Sequence, residues 1–352
     1  PLPAETLAAV HESNERELRV GRVGPDRADD LEQREREATA VVAAVLGASP
    51  ERLVLTHGLP DAARLVAIEL LEPGAEQQVC LLPGVDKAIA GAVRDVAEVA
   101  GAEVEALTSI PDVFDARTAL VVAAHVDADG RRIEIAPLAA GARAAGARTL
   151  IDVSRSAGAW PIDVEAMGAD FVATESHRWL LGPDAVAALW VSPELDRELP
   201  EWLRQASAPF GRGALLALAR SVGWLLMYVE LPWALERTAS LADQLHQGLG
   251  TVAGLELLAQ PGAHGAIAAF RIDGWDAETA AEELGRSIFA ILETDREAEV
   301  IRASVGAWNR ESEIDRFVER ITELAAHTPE TLPRRPSLTV ISGPIDTDED
   351  ET

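Results

Sequence analysis

Apolar positions recur every three to four residues over 31–47, LEQREREATAVVAAVLG, between an Asp29/Asp30 start and a Gly47 stop, which predicts a helix there. Beyond it, short apolar runs alternate with helical stretches. RLVLT, QVCLL, EVEAL, ALVVAAHV, ARTLIDVS, DFVAT and AVAALWV read as strands, and DAARLVAIELL, KAIAGAVRDVAEVAG and LAAGARAAG read as helices. Strands that are apolar throughout, separated by helices, predict a mostly parallel sheet covered on both faces. Sheets of that kind bind ligands at the carboxyl ends of their strands.

A long helical region over about 213–250 closes this part of the chain. The pattern then changes to LELLA, GAIAAFRI, AETAAEELG, FAILE, VIRASV and EIDRFVERITELAA, a small α+β arrangement. The expected organisation is a large domain over 15–250 and a small domain over 251–328, with residues 1–14 packing against the small domain. An acidic tail follows over 329–352, with five acids in its last seven residues.

Composition narrows the function classes. Fifty-nine acids against 31 bases give a net charge of −28, which repels nucleic acid and anionic membranes. No window offers the roughly 18–20 apolar residues of a membrane span, and the N-terminus PLPAETLAAVHESNEREL has neither a basic nor an apolar leader, so a cytoplasmic protein is expected. The one cysteine, Cys80, falls in an apolar strand and suits a buried thiol in a reducing compartment. Lys87 is the sole lysine among the 31 bases; it sits at a helix start and reads as a surface residue. Any imine to a carbonyl cofactor would need Lys87 or the chain terminus, because arginine stays protonated.

Two stretches carry a family resemblance: LIDVSRSAGAWPIDVEAMGADFVATESHRWLLGP and VIRASVGAWNRESEIDRFVERI. They resemble the class V aminotransferases, fold-type I pyridoxal phosphate (PLP) proteins that include cysteine desulfurases, isopenicillin N epimerase-like enzymes and ergothioneine C–S lyases. The resemblance covers about residues 1–328. It implies an α/β, fold-type I aminotransferase-like fold: a mainly parallel, seven-stranded-type sheet in the large domain, plus the small α+β domain. It implies that Asp152 would pair with the pyridine nitrogen, that Arg302 would clamp a substrate carboxylate and that His177 would neighbour the chemistry. It also implies a homodimer, for which the apolar run VGWLLMYVELPW offers surface, although Trp224 and Trp233 suit a core equally well.

The departures from the family fall on the cofactor. Where the family reads Ser-Gly-His-Lys-Trp and its lysine holds PLP, this chain has Arg178. A phosphate-binding serine is replaced by Glu175, and a residue near the ring's phenolic oxygen by Arg155. The early phosphate turn reads Gly58-Leu59-Pro60, and Asp86 stands where a ring-stacking residue is usual. These changes predict that no cofactor is used, with Arg178 or Arg155 serving as counter-ion to Asp152. Three readings follow. In the first, the pocket binds a small carboxylate-bearing, amino-acid-like metabolite through Arg302, Arg155, Asp86 and His57, and Asp152, Glu175, His177 and Arg178 do acid–base chemistry. In the second, the ion pairs plug the pocket of a scaffolding homologue. In the third, PLP is held non-covalently or Arg178 is an introduced block.

Overall fold

The computed structural model describes residues 3–24, 26–195, 209–260 and 262–333; the acidic tail lies outside them from residue 334 onward. The chain opens with two long helices, α1 (Ala4–Val20) and α2 (Arg27–Leu46), the second stopped by Gly47 in the left-handed conformation. Seven strands follow: β1 (Leu53–Thr56), β2 (Gln78–Leu81), β3 (Glu103–Ala106), β4 (Thr118–Ala124), β5 (Arg148–Asp152), β6 (Phe171–Glu175) and β7 (Ala187–Val191). Between them run α3 (Leu59–Leu70), α4 (Lys87–Ala100) and α5 (Ile135–Ala144). The sheet order is β1-β7-β6-β5-β4-β2-β3. Strands β2 to β6 pair in parallel, and β7 runs antiparallel to both its neighbours.

Alternation along the strands builds two apolar layers. Val121, Ala123, Ile151 and Val172 face one layer with α2, whereas Leu120, Val122 and Leu150 face the other with α3 and α4. A strand buried on both faces must be apolar throughout, which is why these runs read so plainly. At the amino end of β5 the buried Asp170 carboxylate accepts from Arg148 Nη1 (2.9 Å) and from both the amide and hydroxyl of Thr149. That clamp fixes β5 against the turn before β6. The opposite ends of these two strands then present Asp152 and Glu175 side by side.

The long helical region is not one helix. α6 (Arg212–Trp224) passes into a π-turn over Leu225–Val229, and α7 (Leu231–Leu249) begins after Glu230. Pro232 in the first turn of α7 lacks the amide that would continue the earlier helix. The buried face of α7, with Leu241, Leu245 and Leu249, packs with Phe270 and Ile301. α7, which precedes the boundary expected near residue 250, thus shares a core with the small sheet. That core covers a four-stranded antiparallel sheet in the order β10-β11-β9-β8, made of β8 (Leu255–Leu257), β9 (Ile267–Ile272), β10 (Glu293–Asp295) and β11 (Val300–Ser304). α8 (Ala277–Ile288) and α9 (Glu311–Ala325) complete it.

Residues 1–14 also depart from expectation. Residues 4–14 form most of α1, whose Thr6 hydroxyl bonds Ser221 (2.9 Å) and whose Ser13 accepts from Arg212 Nη1 (2.6 Å), so the segment packs on α6 of the large domain. One run, Arg212–Val229, does reach the length and mean hydropathy (1.2) of a membrane-crossing helix, which the sequence reading did not anticipate. Half of it is buried inside the fold.

The loop after β2 is pressed against the one after β4. Gly84 has φ +76°, and a Cβ there would lie 2.4 Å from Asp127 Cβ. Gly84→Ala should therefore cost about 2 kcal/mol or more in urea unfolding, from backbone strain and overlap together. A loss under half of that would show that the loop gives way freely.

Candidate active site

The carboxyl ends of β4, β5 and β6 meet the loop before α4. Asp152, the last residue of β5, is 3% exposed. Its carboxylate accepts from the Ser154 amide (2.8 Å), and Ser154 Oγ in turn accepts from the Glu175 amide (2.8 Å), tying the two strand ends together. His125 follows β4; its amide donates to Asp152 O (2.9 Å) and its Nδ1 bonds Ser156 Oγ (2.9 Å). Burial, with a smaller push from Arg132, lowers the His125 ring from 6.5 to about 4, so it is neutral at physiological pH.

The charged side chains pair around this centre. Arg155, 6% exposed, reaches Asp86 at 3.6 Å, and Asp86 also caps α4 by accepting from the Ala88 amide (2.9 Å). Glu175 lies 3.6 Å from His177 and 3.5 Å from Arg178. Arg178 Nε is buried without a hydrogen bond, so this contact is an ion pair and nothing tighter. Burial raises the Glu175 carboxyl; His177 and Arg178 pull it back, while Asp152 and Asp86 push it further up.

Arg302 stands on β11, where its Nε donates to Ala128 O (2.7 Å) in the loop after β4. Its other nitrogens approach Asp295 (3.4 Å) and Glu293 (3.6 Å), both longer than a tight arginine–carboxylate fork. His57 stacks on Phe210 with ring centroids 4.0 Å apart. Lys87 is 80% exposed and pairs with Glu297 at 3.1 Å, well out on the surface.

Two expectations change here. No basic side chain among the described residues pairs with Asp152, although Arg178 or Arg155 was expected to: Arg155 is drawn to Asp86 and Arg178 to Glu175. A buried carboxylate is thus left without a cation. Sequence reasoning also missed His125; its signal was a histidine directly after an apolar strand, in register with the acid on the next strand.

This architecture, a seven-stranded mainly parallel sheet with a buried acid at its carboxyl mouth and a small α+β domain against it, is that of fold-type I proteins. The sequence profile of the class V aminotransferases matches residues 1–207, and the chain belongs to that family. A "Probable cysteine desulfurase" of Methanothermobacter thermautotrophicus is 24% identical over 82% of this chain and 83% of its own length. One from Pseudomonas aeruginosa is 27% identical over 76% and 77%. Among solved structures, a lysine-to-alanine variant of C-DES with glycine covalently linked to its PLP superposes with a TM-score of 0.81 at 18% identity, covering 91% of this chain and 93% of its own. The cystine C–S lyase C-DES in complex with its product, cysteine persulfide, gives the same TM-score at 17% identity, covering 91% of this chain and 94% of its own.

These findings overturn the expectation of no cofactor. The curated relatives are named cysteine desulfurases and a solved structure of this fold holds glycine covalently linked to PLP, which points to PLP. The geometry of this chain fits it at one end: Asp152 is an uncompensated buried acid of the kind a protonated ring nitrogen satisfies. Among the described residues at the mouth, none supplies an amine.

The lowered His125 value fixes the sign of a pH effect. Its contribution to stability is full above 6.5 and is lost as pH falls towards about 4, because only the unfolded chain takes up that proton. Melting followed from pH 7 to pH 4 should fall less steeply for His125→Gln, by up to about 3 kcal/mol across the window. Identical slopes would place the ring's titration elsewhere.

Proposed function

We propose that the chain holds PLP at the mouth of the seven-stranded sheet without a lysine link, and acts there on a small amino-acid-like carboxylate in lyase-type chemistry. The observation that carries this reading is Asp152: buried, hydrogen-bonded by one amide, and without a cation among the described residues. Bound PLP supplies an electron sink that weakens bonds at the carbon bearing an amino group. Asp152 holds the proton on the ring nitrogen, and Arg155 and Arg178 supply positive charge for the cofactor's anionic groups. Arg302 takes the substrate carboxylate, exchanging its long contacts with Asp295 and Glu293 for a shorter fork.

Proton movement falls to Glu175 and His177. A carboxyl raised by burial carries its proton closer to neutral pH than a surface glutamate does, and His177 lies within 3.6 Å to exchange it. The relatives' names point to sulfur-bearing amino acids as the substrate class. This chain's only cysteine, Cys80, is 3% exposed in β2 and its thiol is pushed up by burial, which makes it a poor sulfur acceptor. Release of a small sulfur product, as the C–S lyase relative does, therefore suits the chain better than transfer onto its own thiol. A reducing, cytoplasmic setting suits that single thiol.

PLP titrated into the purified chain should bind saturably, and Asp152→Asn should weaken it by about 2 kcal/mol, the scale of a lost charge-assisted hydrogen bond. Borohydride should leave no label on the peptide that carries position 178, because no amine stands there, with any label confined to the exposed Lys87 or the chain terminus. Unsaturable binding, or equal binding by Asp152→Asn, defeats the reading and leaves the ion pairs as a plug.

Arg302→Ala should weaken cysteine or a related amino acid by about 2 kcal/mol in calorimetry on the PLP-loaded chain, with Arg302→Lys recovering only part of it. Unchanged affinity in both variants would remove Arg302 from the substrate site.

A further inference from the structure

Half of the chain's eight tryptophans line one cavity. Trp179, Trp224, Trp233 and Trp308, with Tyr228, wall a space of about 650 Å³ beside the loop that follows β6. Trp179 is fixed by its Nε1 hydrogen bond to Val305 O (2.7 Å), whereas Tyr228 and Trp233 stand 76% and 51% exposed. Aromatic surface of this extent, left in water, marks a place where something docks.

The uncharged polar groups of the wall are donors without acceptors. The indole N–H groups of Trp224, Trp233 and Trp308 meet no acceptor among the described residues. Thr238 is 1% exposed and its hydroxyl has no hydrogen-bond partner. The single charged residue is Glu230, exposed at the rim, and it pairs with no basic side chain among the described residues. It is held at φ +67°, in the left-handed region a glutamate avoids, directly after the π-turn of Leu225–Val229. Strain of that kind gathers at ligand clamps.

A peptide rich in proline and bearing arginine matches each of these features. Proline has no N–H, so it asks for no acceptor, and its carbonyls take up the donors of the wall. Its extended helix is stiff before it binds, and it packs well in aromatic-lined grooves. A neighbouring arginine stacks on tryptophan and meets an acid at the rim. This chain carries such a stretch where its tail begins, Pro333-Arg334-Arg335-Pro336.

We propose that the cavity is the docking site for the Pro333–Pro336 segment of a second copy of the chain. A chain's own segment starts too far from its own cavity. α7 and α9 lie side by side, with Arg237 on Glu311 near one end and Gly248 against Val318 near the other. Trp233 and Thr238 belong to the first end, whereas the tail leaves from the second, where Ala325 O lies 3.5 Å from the Cβ position of Gly254. Beyond it, the Leu332 amide folds back onto Thr328 O (3.0 Å). The α7 stretch from Trp233 to Leu249 spans about 24 Å at helical rise, and the four-residue segment covers only about 12 Å when extended. Two copies that each give their segment to the other form a closed two-fold pair. The site is independent of the cofactor position, since neither Asp152 nor Arg302 lines it.

The full chain carrying Arg334→Glu and Arg335→Glu leaves the cavity open, and a synthetic peptide of residues 331–338 is the probe. Intrinsic tryptophan fluorescence of that chain should change saturably with the peptide. Peptides with both prolines replaced by alanine, or both arginines by glutamate, should bind about tenfold more weakly or worse. In the chain, adding Trp233→Leu should weaken the parent peptide about tenfold, and Glu230→Gln about threefold, the scale of an exposed ion pair, while both melt like the parent. Exchange between copies is read by mixing a Trp233→Leu chain, which keeps its segment, with the Arg334→Glu/Arg335→Glu chain, which keeps its cavity. The mixture should show the fluorescence change that neither chain shows alone. Absence of a saturable change, or equal binding of the alanine peptide, would overturn the proposal. So would a mixture that only averages its parts, which would give the cavity to a proline-rich segment of another protein.

Discussion

A carboxylate taken out of water without a cation is among the most expensive things a fold can hold, costing several kcal/mol once relaxation is allowed for. Among the described residues no cation reaches Asp152, and much of the large domain acts to keep it there. It ends β5, which is flanked by parallel strands on both sides and clamped at its other end by Asp170. The side chain is short and accepts a bond from the Ser154 amide two residues on, so it cannot swing out to solvent as a glutamate or an arginine could. On the proposed reading, a cationic group arriving from outside the chain meets that cost.

The longer charged side chains around it settle their own accounts locally. Arg155 reaches away to Asp86, which is already committed to the start of α4, and Arg178 lies against Glu175 three residues before it. Guanidinium groups on flexible stems find the nearest peripheral acid; the innermost acid, the least reachable, is left over. Both arginine contacts exceed 3.4 Å, and Arg178 Nε is buried without a hydrogen bond. Pairs this loose can be exchanged for those of an anionic ligand without dismantling the fold. A plug would be expected to close them tightly and to reach Asp152 as well.

The sheet was legible because its strands are apolar on both faces, and no helix of a two-layer protein has a reason to carry such short, uninterrupted runs. Asp152, Glu175 and Arg178 could be located because strand ends are where a parallel sheet exposes side chains. Which acid each arginine would choose was not legible, since that depends on reach and burial in three dimensions. For the same reason α1 could not be assigned to α6: the Thr6–Ser221 bond joins residues 215 apart. The split at Glu230 did have a signal in Pro232, but the apolar run continuing through Leu225 and Val229 masked it. His125 carried no family motif in its favour, and its importance comes only from lying beside Asp152.

A site with arginine where its relatives' chemistry uses an amine has a thermodynamic consequence as well as a chemical one. A covalent link keeps a cofactor in place at any concentration, whereas a group held by one ionic contact and a few cations is present only to the extent that its concentration exceeds its dissociation constant. Its contribution to stability then grows as the logarithm of that ratio, about 2.7 kcal/mol at a hundredfold excess. The apo chain has to stand on its own with Asp152 uncompensated. Its independent support is visible in the two apolar layers that enclose the sheet and in the third that joins α7 to the small sheet. Folding therefore does not wait for the ligand. On the proposed reading the ligand relieves a local cost that the scaffold already carries, and that relief contributes to its binding energy.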